Sequence, residues 1–277
     1  YLVSGVLTSF VAPLAPVGSD VLLRATPAGV LQWTNAGGPT SFVDWAWSEG
    51  AALPDSVWPG SVQVDGDLLW YMDYSEHLAL EVSVAGGEPS RVRELDGWIE
   101  LVGHSDDAAL VSSMMTGQVH RIDRDGTIAV AHDGVALGGG DDWLVSPGCD
   151  AELRCSRELV DLRTGSEFSF GPQGSVDGSA VTTSWDGRRG LLQAWDADGP
   201  TLWIIDADVM SATPAHSSFA PLDTDLLVTD PGLRYAIEPS SRRISIAELT
   251  TGERWEVELP ELVTSLVVAP GGWSPPA

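Results

Sequence analysis

Lysine is absent from this 277-residue chain, asparagine occurs once, at Asn35, and all 14 basic residues are arginines facing 40 acidic ones, a formal charge of −26. Such a balance excludes a nucleic-acid surface, because a phosphate backbone is repelled without a local basic patch. The densest candidates for one are only Arg188-Arg189 and Arg242-Arg243. Scarce Lys and Asn together point to GC-rich coding; a salt-adapted acidic surface, kept soluble and monomeric by its charge, is the competing account. Long apolar runs are missing too. None approaches the roughly 20 residues that span a bilayer, so this chain carries no membrane span. Tyr1 to Leu7 lack both a starting Met and a basic segment, which excludes an intact signal peptide. The expectation is that a targeting segment has been removed, or that the chain starts inside a larger or membrane-anchored surface protein.

Cysteine is nearly absent. Two thiols, Cys149 and Cys155, cannot complete a four-ligand zinc site, and their spacing is not C-x-x-C. We expect a local disulfide that closes a loop, which implies an oxidising, extracytoplasmic setting, secreted or on the cell surface. Two free thiols in a cytosolic protein are the alternative. No stretch sustains a helical period, and Pro or Gly interrupts most windows that approach one.

What the chain does have is a hairpin that recurs. Leu31 to Val43 reappears as Leu80 to Val92, and shorter versions follow at Arg121 to Ile128, Leu159 to Phe168, Gln193 to Leu202 and Ile246 to Trp255. Their turn glycines, 38, 87, 126, 165, 199 and 252, step by 49, 39, 39, 34 and 53 residues, a spacing that means repeated four-stranded units. Ahead of each hairpin lies a short apolar run, such as Asp20-Val21-Leu22-Leu23, Asp67-Leu68-Leu69-Trp70 or Asp142-Trp143-Leu144-Val145, expected as a buried second strand. Seven Asp-Gly pairs favour the positive dihedrals of tight hairpin turns.

The predicted fold is therefore all-β: a six-bladed β-propeller of four-stranded antiparallel blades, in one domain over 1–277, with 271–277 a linker or tail. The blades are expected at approximately 8–45, 58–95, 96–134, 135–173, 174–206 and 218–262. Thr264 to Pro270 echoes Thr8 to Pro13, so the C-terminal copy is expected to close the ring on the first blade, removing an exposed sheet edge. A seventh blade built from both termini is the alternative. The turns Val160-Asp161-Leu162-Arg163-Thr164-Gly165 and Ala247 to Trp255 resemble the signature of PQQ-like, YVTN and WD40-like propellers. That resemblance implies architecture only. The tryptophans are irregular and Cys149 is not adjacent to Cys155, so no quinone, and no other cofactor, is expected.

The nucleophile elbow, H-E-x-x-H and glycine-rich phosphate loops are all missing. His104, Ser105, Asp106 and Asp107 look like turn residues, not a triad, because neighbours on a strand end rarely converge. Ser175-Val176-Asp177-Gly178 and Ser184-Trp185-Asp186-Gly187 approach the sialidase Asp-box with glycine one place early. The acids of Asp123-Arg124-Asp125-Gly126 and Asp196-Ala197-Asp198-Gly199 do not continue into a calcium loop, so no metal is expected. Asp65, Glu100, Asp177 and Asp223 fall in or near predicted innermost strands and are the channel carboxylates of a hydrolase or lyase reading.

Function concentrates in long loops on rigid scaffolds. In a meandering blade, second–third loops share a face with the blade-to-blade links, so the irregular segments 44–60, 146–155, 185–190 and 207–217 are expected on one face. Its candidate binding residues are Trp45, Trp47, Trp58, Trp185, Arg188, Arg189 and His216. The reading is a non-catalytic, extracytoplasmic propeller that binds a protein or glycan there. A carbohydrate-active hydrolase or lyase, and a structural module of a larger surface protein, are the alternatives.

Overall fold

The computed structural model describes residues 2–4, 6–9, 21–26, 28–34, 40–44, 48–54, 57, 62–73, 78–94, 99–105, 108–149, 151–152, 155–173, 178–184, 186–196, 199–217, 228–240 and 242–258. Among them there is no α-helix. Two short strands, β1 (Leu2–Ser4) and β2 (Val6–Ser9), pair with each other. Six antiparallel four-stranded meanders follow among the described residues. Sheet 1 holds β3 (Val21–Ala25), β4 (Gly29–Thr34), β5 (Ser41–Asp44) and β6 (Glu49–Ala52). Sheet 2 holds β7 (Gln63–Asp65), β8 (Leu68–Asp73), β9 (Leu78–Ser83) and β10 (Ser90–Glu94). Sheet 3 consists of β11 (Ile99–Ser105), β12 (Ala108–Ser113), β13 (Gln118–Asp123) and β14 (Ile128–His132). In sheet 4 come β15 (Gly138–Gly139), β16 (Trp143–Cys149), β17 (Cys155–Asp161) and β18 (Ser166–Phe170). Sheet 5 follows with β19 (Gly178–Thr183), β20 (Arg189–Asp196), β21 (Gly199–Asp206) and β22 (Ser211–Pro214), and sheet 6 with β23 (Val228–Thr229), β24 (Tyr235–Ser240), β25 (Arg243–Glu248) and β26 (Arg254–Glu258).

The apolar runs explain how the sheets stack. Every residue of β12 is buried, whereas β14, β18 and β26 at the outer edges are largely exposed. A strand buried on both faces lies between two sheets, and its consecutive side chains serve different neighbours. Tyr71 packs with Leu31, Phe42 and Leu69 between sheets 1 and 2, while Trp70 and Met72 pack with Leu101, Ala109 and Ile122 between sheets 2 and 3. Val102, Leu110, Leu144 and Val160 join sheets 3 and 4. Trp143, Val145, Leu159, Leu192 and Ile205 join sheets 4 and 5, and Leu191, Leu202, Ala236 and Leu249 join sheets 5 and 6. The first strands β7, β11, β15 and β19 lie next to one another in chain order, so the sheets fan outward from them.

Several strand assignments differ from the sequence expectation. The hairpins at Leu31 to Val43 and Gln193 to Leu202 join second and third strands, not third and fourth. Val21–Ala25, Gly178–Thr183 and Val228–Thr229, expected as second strands, each open their sheet. Sheet 1 accordingly runs on to Ala52 and sheet 5 to Pro214. Thr8 and Ser9, expected as the innermost strand of the first unit, belong to β2 and pair with β1. The physical reason is that turn chemistry and flanking apolarity are alike in every hairpin of a meander; only burial on both faces marks the second strand. Thr264 to Pro270, and the 271–277 tail, lie outside the described residues.

The disulfide between Cys149 and Cys155 is formed, linking register partners at the end of β16 and the start of β17. It closes a short loop, for which chain entropy predicts a contribution of about 2 kcal/mol. Cys149→Ser and Cys155→Ser should therefore each lower the thermal midpoint by roughly 4–8 °C. The double variant should match the singles in a calorimetric scan, and an unchanged midpoint would mean that β-pairing alone holds this turn.

Candidate functional site

A four-stranded meander places its first–second and third–fourth turns at one end, here called upper, and its second–third turns and the links between sheets at the lower end. This divides the segments expected on one face. Residues 184–188 form a first–second turn and 207–210 a third–fourth turn, both upper; the turn between Cys149 and Cys155 is lower. Segment 44–60 contains β6 and segment 207–217 contains β22, so neither is a single loop. The single-face expectation is thus corrected: these segments occupy different positions within their own sheets.

At the upper end the first–second turns of sheets 3 to 6 are laced together. The His104 N–H donates to the Gly140 carbonyl at 3.2 Å and the Asp142 N–H to the His104 carbonyl at 3.0 Å, joining sheets 3 and 4. Ser105 Oγ donates to Asp142 Oδ1 and accepts from Arg121 Nη1 at 2.9 Å, while Arg121 Nε holds Asp123 Oδ1 at 2.9 Å. The Asp141 N–H reaches the Gly187 carbonyl at 2.9 Å, and Trp143 Nε1 donates to that same oxygen at 2.6 Å, joining sheets 4 and 5. Arg188 completes this joint. Its Nη1 donates to the Asp141 carbonyl at 2.6 Å, its Nη2 to the Ala207 carbonyl at 3.3 Å and its Nε to Asp208 Oδ1 at 2.9 Å. Arg189 pairs with Asp206 at 3.1 Å and reaches the Gly232 carbonyl in sheet 6 at 3.5 Å. Both arginines thus direct donors into joints between sheets.

The near-Asp-box at Ser184 is one of these turns. Ser184 Oγ donates to Asp186 Oδ1 at 2.5 Å and accepts from the Arg189 N–H at 2.9 Å, and the Arg188 N–H donates to Asp186 at 3.0 Å. Burial pushes the Asp186 carboxyl up, but the Ser184 and Arg188 hydrogen bonds and the Arg189 charge outweigh it and hold the group below the usual carboxylate range. His104 and Ser105 are consecutive on β11 and have separate partners. His104 Nδ1 lies 3.6 Å from Asp141 Oδ1, whereas Ser105 faces Asp142 and Arg121. Alternation along a strand separates them, and among the described residues no triad forms; Asp106 and Asp107 lie outside those residues. Asp123-Arg124-Asp125-Gly126 is a hairpin turn: the Gly126 N–H donates to the Asp123 carbonyl at 2.8 Å and the Thr127 N–H to Asp125 Oδ1 at 2.8 Å.

The lower end looks different. The turn from β12 to β13 exposes Met114 and Met115, at 65% and 74% of their accessible surface. Residue Glu100, near the start of β11, is the register partner of Ser112 just before that turn. Beside them His132 Nε2 lies 3.1 Å from Ser146 Oγ, and Gln118 Nε2 donates to Asp133 Oδ1 at 3.1 Å. The stapled turn of sheet 4, with exposed Ala151 and Glu152, lies at the same end. The methionines were missed because no spacing rule flags them. The available signal was two large apolar residues, Met114-Met115, directly before Thr-Gly where a turn should be polar.

Glu100 is exposed, yet the protein around its carboxyl desolvates the group and raises its pKa. The folded state therefore disfavours the ionised form, and its cost grows as pH rises past the unfolded carboxylate range. Glu100→Gln should raise the thermal midpoint at pH 7, with the gap to wild type closing below about pH 4. A gap independent of pH would refute this origin.

Asp65 closes β7, on the strand neighbouring β11, so two of the four proposed channel carboxylates lie on adjacent first strands. Asp177 and Asp223 lie outside the described residues, as do Trp45, Trp47, Trp58 and Trp185. His216 is exposed on the link from sheet 5 to sheet 6. Its N–H donates to the Leu249 carbonyl at 2.7 Å, and its ring covers Gly252, where an added Cβ would come within 2.6 Å of Nδ1. Among the described residues, no group of three His, Cys, Asp or Glu is placed to hold a metal ion.

No protein-family model matches the chain, and no curated protein matches its sequence. Solved structures do match in fold. The hydrazine synthase of Kuenenia stuttgartiensis is similar with a TM-score of 0.51 and 12% identity, over 94% of this chain and 94% of that one. Oligogalacturonate lyase in complex with manganese gives 0.52 and 11%, over 87% of this chain and 74% of that one. A mitotic checkpoint complex chain gives 0.52 and 15%, over 92% and 82%. These neighbours are β-propellers, and at such identities the likeness concerns the fold alone.

Proposed function

We propose that this β-propeller is a non-catalytic recognition domain that acts outside the cytoplasm and binds a partner through its lower end. Its six four-stranded sheets are the blades, within a single domain. Among the described residues sheet 1 already has four strands and β1 and β2 pair apart from it, which supports keeping the seventh blade of the alternative. The observation that carries the reading is the contrast between the two ends. Among the described residues, the upper turns of sheets 3 to 6 hydrogen-bond to one another through Gly140, Gly187, Arg188 and Arg189, whereas the lower β12–β13 turn presents Met114 and Met115 to solvent in the sheet next to a covalently stapled one. Flexible, polarizable methionines on a rigid support suit a protein surface more than a sugar ring. The disulfide supports an oxidising location, and the charge of −26 disfavours nucleic acid.

The test compares wild type with Met114→Ser/Met115→Ser and with Trp58→Ala on a panel of cell-surface proteins and a glycan array. A partner bound by wild type should lose at least about tenfold in affinity, or 1.4 kcal/mol, in the methionine variant. Binding unchanged in both variants would reject this surface. A second reading, hydrolase or lyase, is favoured by Glu100 alone, whose raised pKa on a first strand suits a proton donor. Turnover of a polysaccharide that vanishes in Glu100→Gln would install it in place of the first.

A further inference from the structure

Sulfur is distributed very unevenly with respect to solvent. Both cysteines are consumed in one disulfide, so no thiol competes for oxidants. Of the four methionines, Met72 is fully buried in the interface between sheets 2 and 3, and Met210 packs against the cluster between sheets 4 and 5. Met114 and Met115 stand in solvent, side by side in one turn. That turn is held without them. The Gly117 N–H donates to the Ser113 carbonyl at 2.9 Å, the Thr116 N–H to Ser113 Oγ at 3.3 Å, and Thr116 Oγ1 lies 3.1 Å from His120 Nε2. Chemical change at either thioether leaves those bonds intact.

We propose that Met114-Met115 is a reversible oxidation site for hydroperoxides, one that converts the lower-end tip from apolar to polar. A thioether lone pair attacks the terminal oxygen of the hydroperoxide. The O–O bond breaks, an S–O bond forms, and the proton on the attacked oxygen passes to the departing oxygen, which leaves as water or an alcohol. Sulfur loses two electrons and the peroxide gains them. The resulting sulfoxide is polar and chiral, and methionine sulfoxide reductases return it to the thioether. Exposure sets the order of reaction because the oxidant must reach sulfur; Met72 reacts only when its sheet interface opens. This inference stands apart from the recognition reading, since its readout is oxygen uptake and not binding.

The experiment treats the folded chain with dilute hydrogen peroxide and follows each methionine by peptide mass spectrometry. Met114 and Met115 should oxidise at least tenfold faster than Met72, with Met210 slower than the pair, and the four rates should converge in concentrated urea. The oxidised protein should keep its thermal midpoint within about 1 °C, and a sulfoxide reductase should remove both oxygens. Met114→Leu/Met115→Leu should abolish the fast uptake. Comparable rates for Met72 and the pair in the folded protein would overturn the proposal, as would a midpoint falling by several degrees on oxidation, since the pair would then be part of the packed structure.

Discussion

Trp143→Ala is expected to be the most damaging single change considered, lowering the free energy of unfolding by about 3–5 kcal/mol. The side chain is fully buried and packs with Val145 and Leu159 of its own sheet and with Leu192 and Ile205 of the next. Truncation opens a large cavity at an interface between two sheets, where neither backbone can collapse without disturbing its other neighbour. It also removes the donor that sits 2.6 Å from the Gly187 carbonyl, although that oxygen keeps the Asp141 N–H. Trp143→Phe separates the two contributions, because it retains most of the apolar volume and should cost roughly 1–2 kcal/mol. Urea denaturation is the measurement. The midpoint should fall with the slope unchanged, and a loss below about 1 kcal/mol for the alanine variant would contradict the burial.

Gly140→Ala is the second, with an expected loss of about 1–3 kcal/mol from overpacking. A Cβ at Gly140 would lie 2.4 Å from the Gly187 carbonyl oxygen and 2.6 Å from Trp143 Nε1. Neither atom is a mobile side-chain end: the first is backbone and the second belongs to a locked ring. Backbone φ at Gly140 is not in the left-handed region, so the requirement is space. The consequence is that Gly140→Ala and Trp143→Ala should not add. With the indole removed, one of the two collisions disappears, and a double-mutant cycle should show coupling of about 0.5–3 kcal/mol. Strict additivity would mean that the Gly187 carbonyl alone resists the methyl group.

Much of the architecture was legible in the sequence. Hairpin turns announce themselves locally, through Thr-Gly and Asp-Gly pairs between apolar runs, and Gly126 does turn with a φ of 81°. The disulfide was legible because the five residues between Cys149 and Cys155 allow a simple hairpin closure. Strand rank was legible in sheets 2, 3 and 4 but not in sheets 1, 5 and 6. Leu31 to Val43 and Leu80 to Val92 are near copies, yet the first joins second and third strands and the second joins third and fourth. Local pattern is alike in both, and packing against neighbouring sheets distinguishes them.

The joints at the upper end were illegible for a related reason. Ser105 meets Asp142 across 37 residues of sequence, and Arg188 meets the Asp141 carbonyl across 47. Sequence pattern speaks to contacts within a hairpin, whose partners are a few residues apart. It is silent on which turn of the next sheet comes alongside. Arg188 and Arg189 therefore looked like a surface patch from their charge, and the structure turns them into ties between sheets. What the chain determined by itself was its repeated all-β unit and the stapled turn, because short-range hydrogen bonding and apolar alternation encode both. Which turns of sheets 3 to 6 are tied together, and which turn shows its methionines to solvent, was decided by the stacking of one sheet on the next, where distant residues first meet.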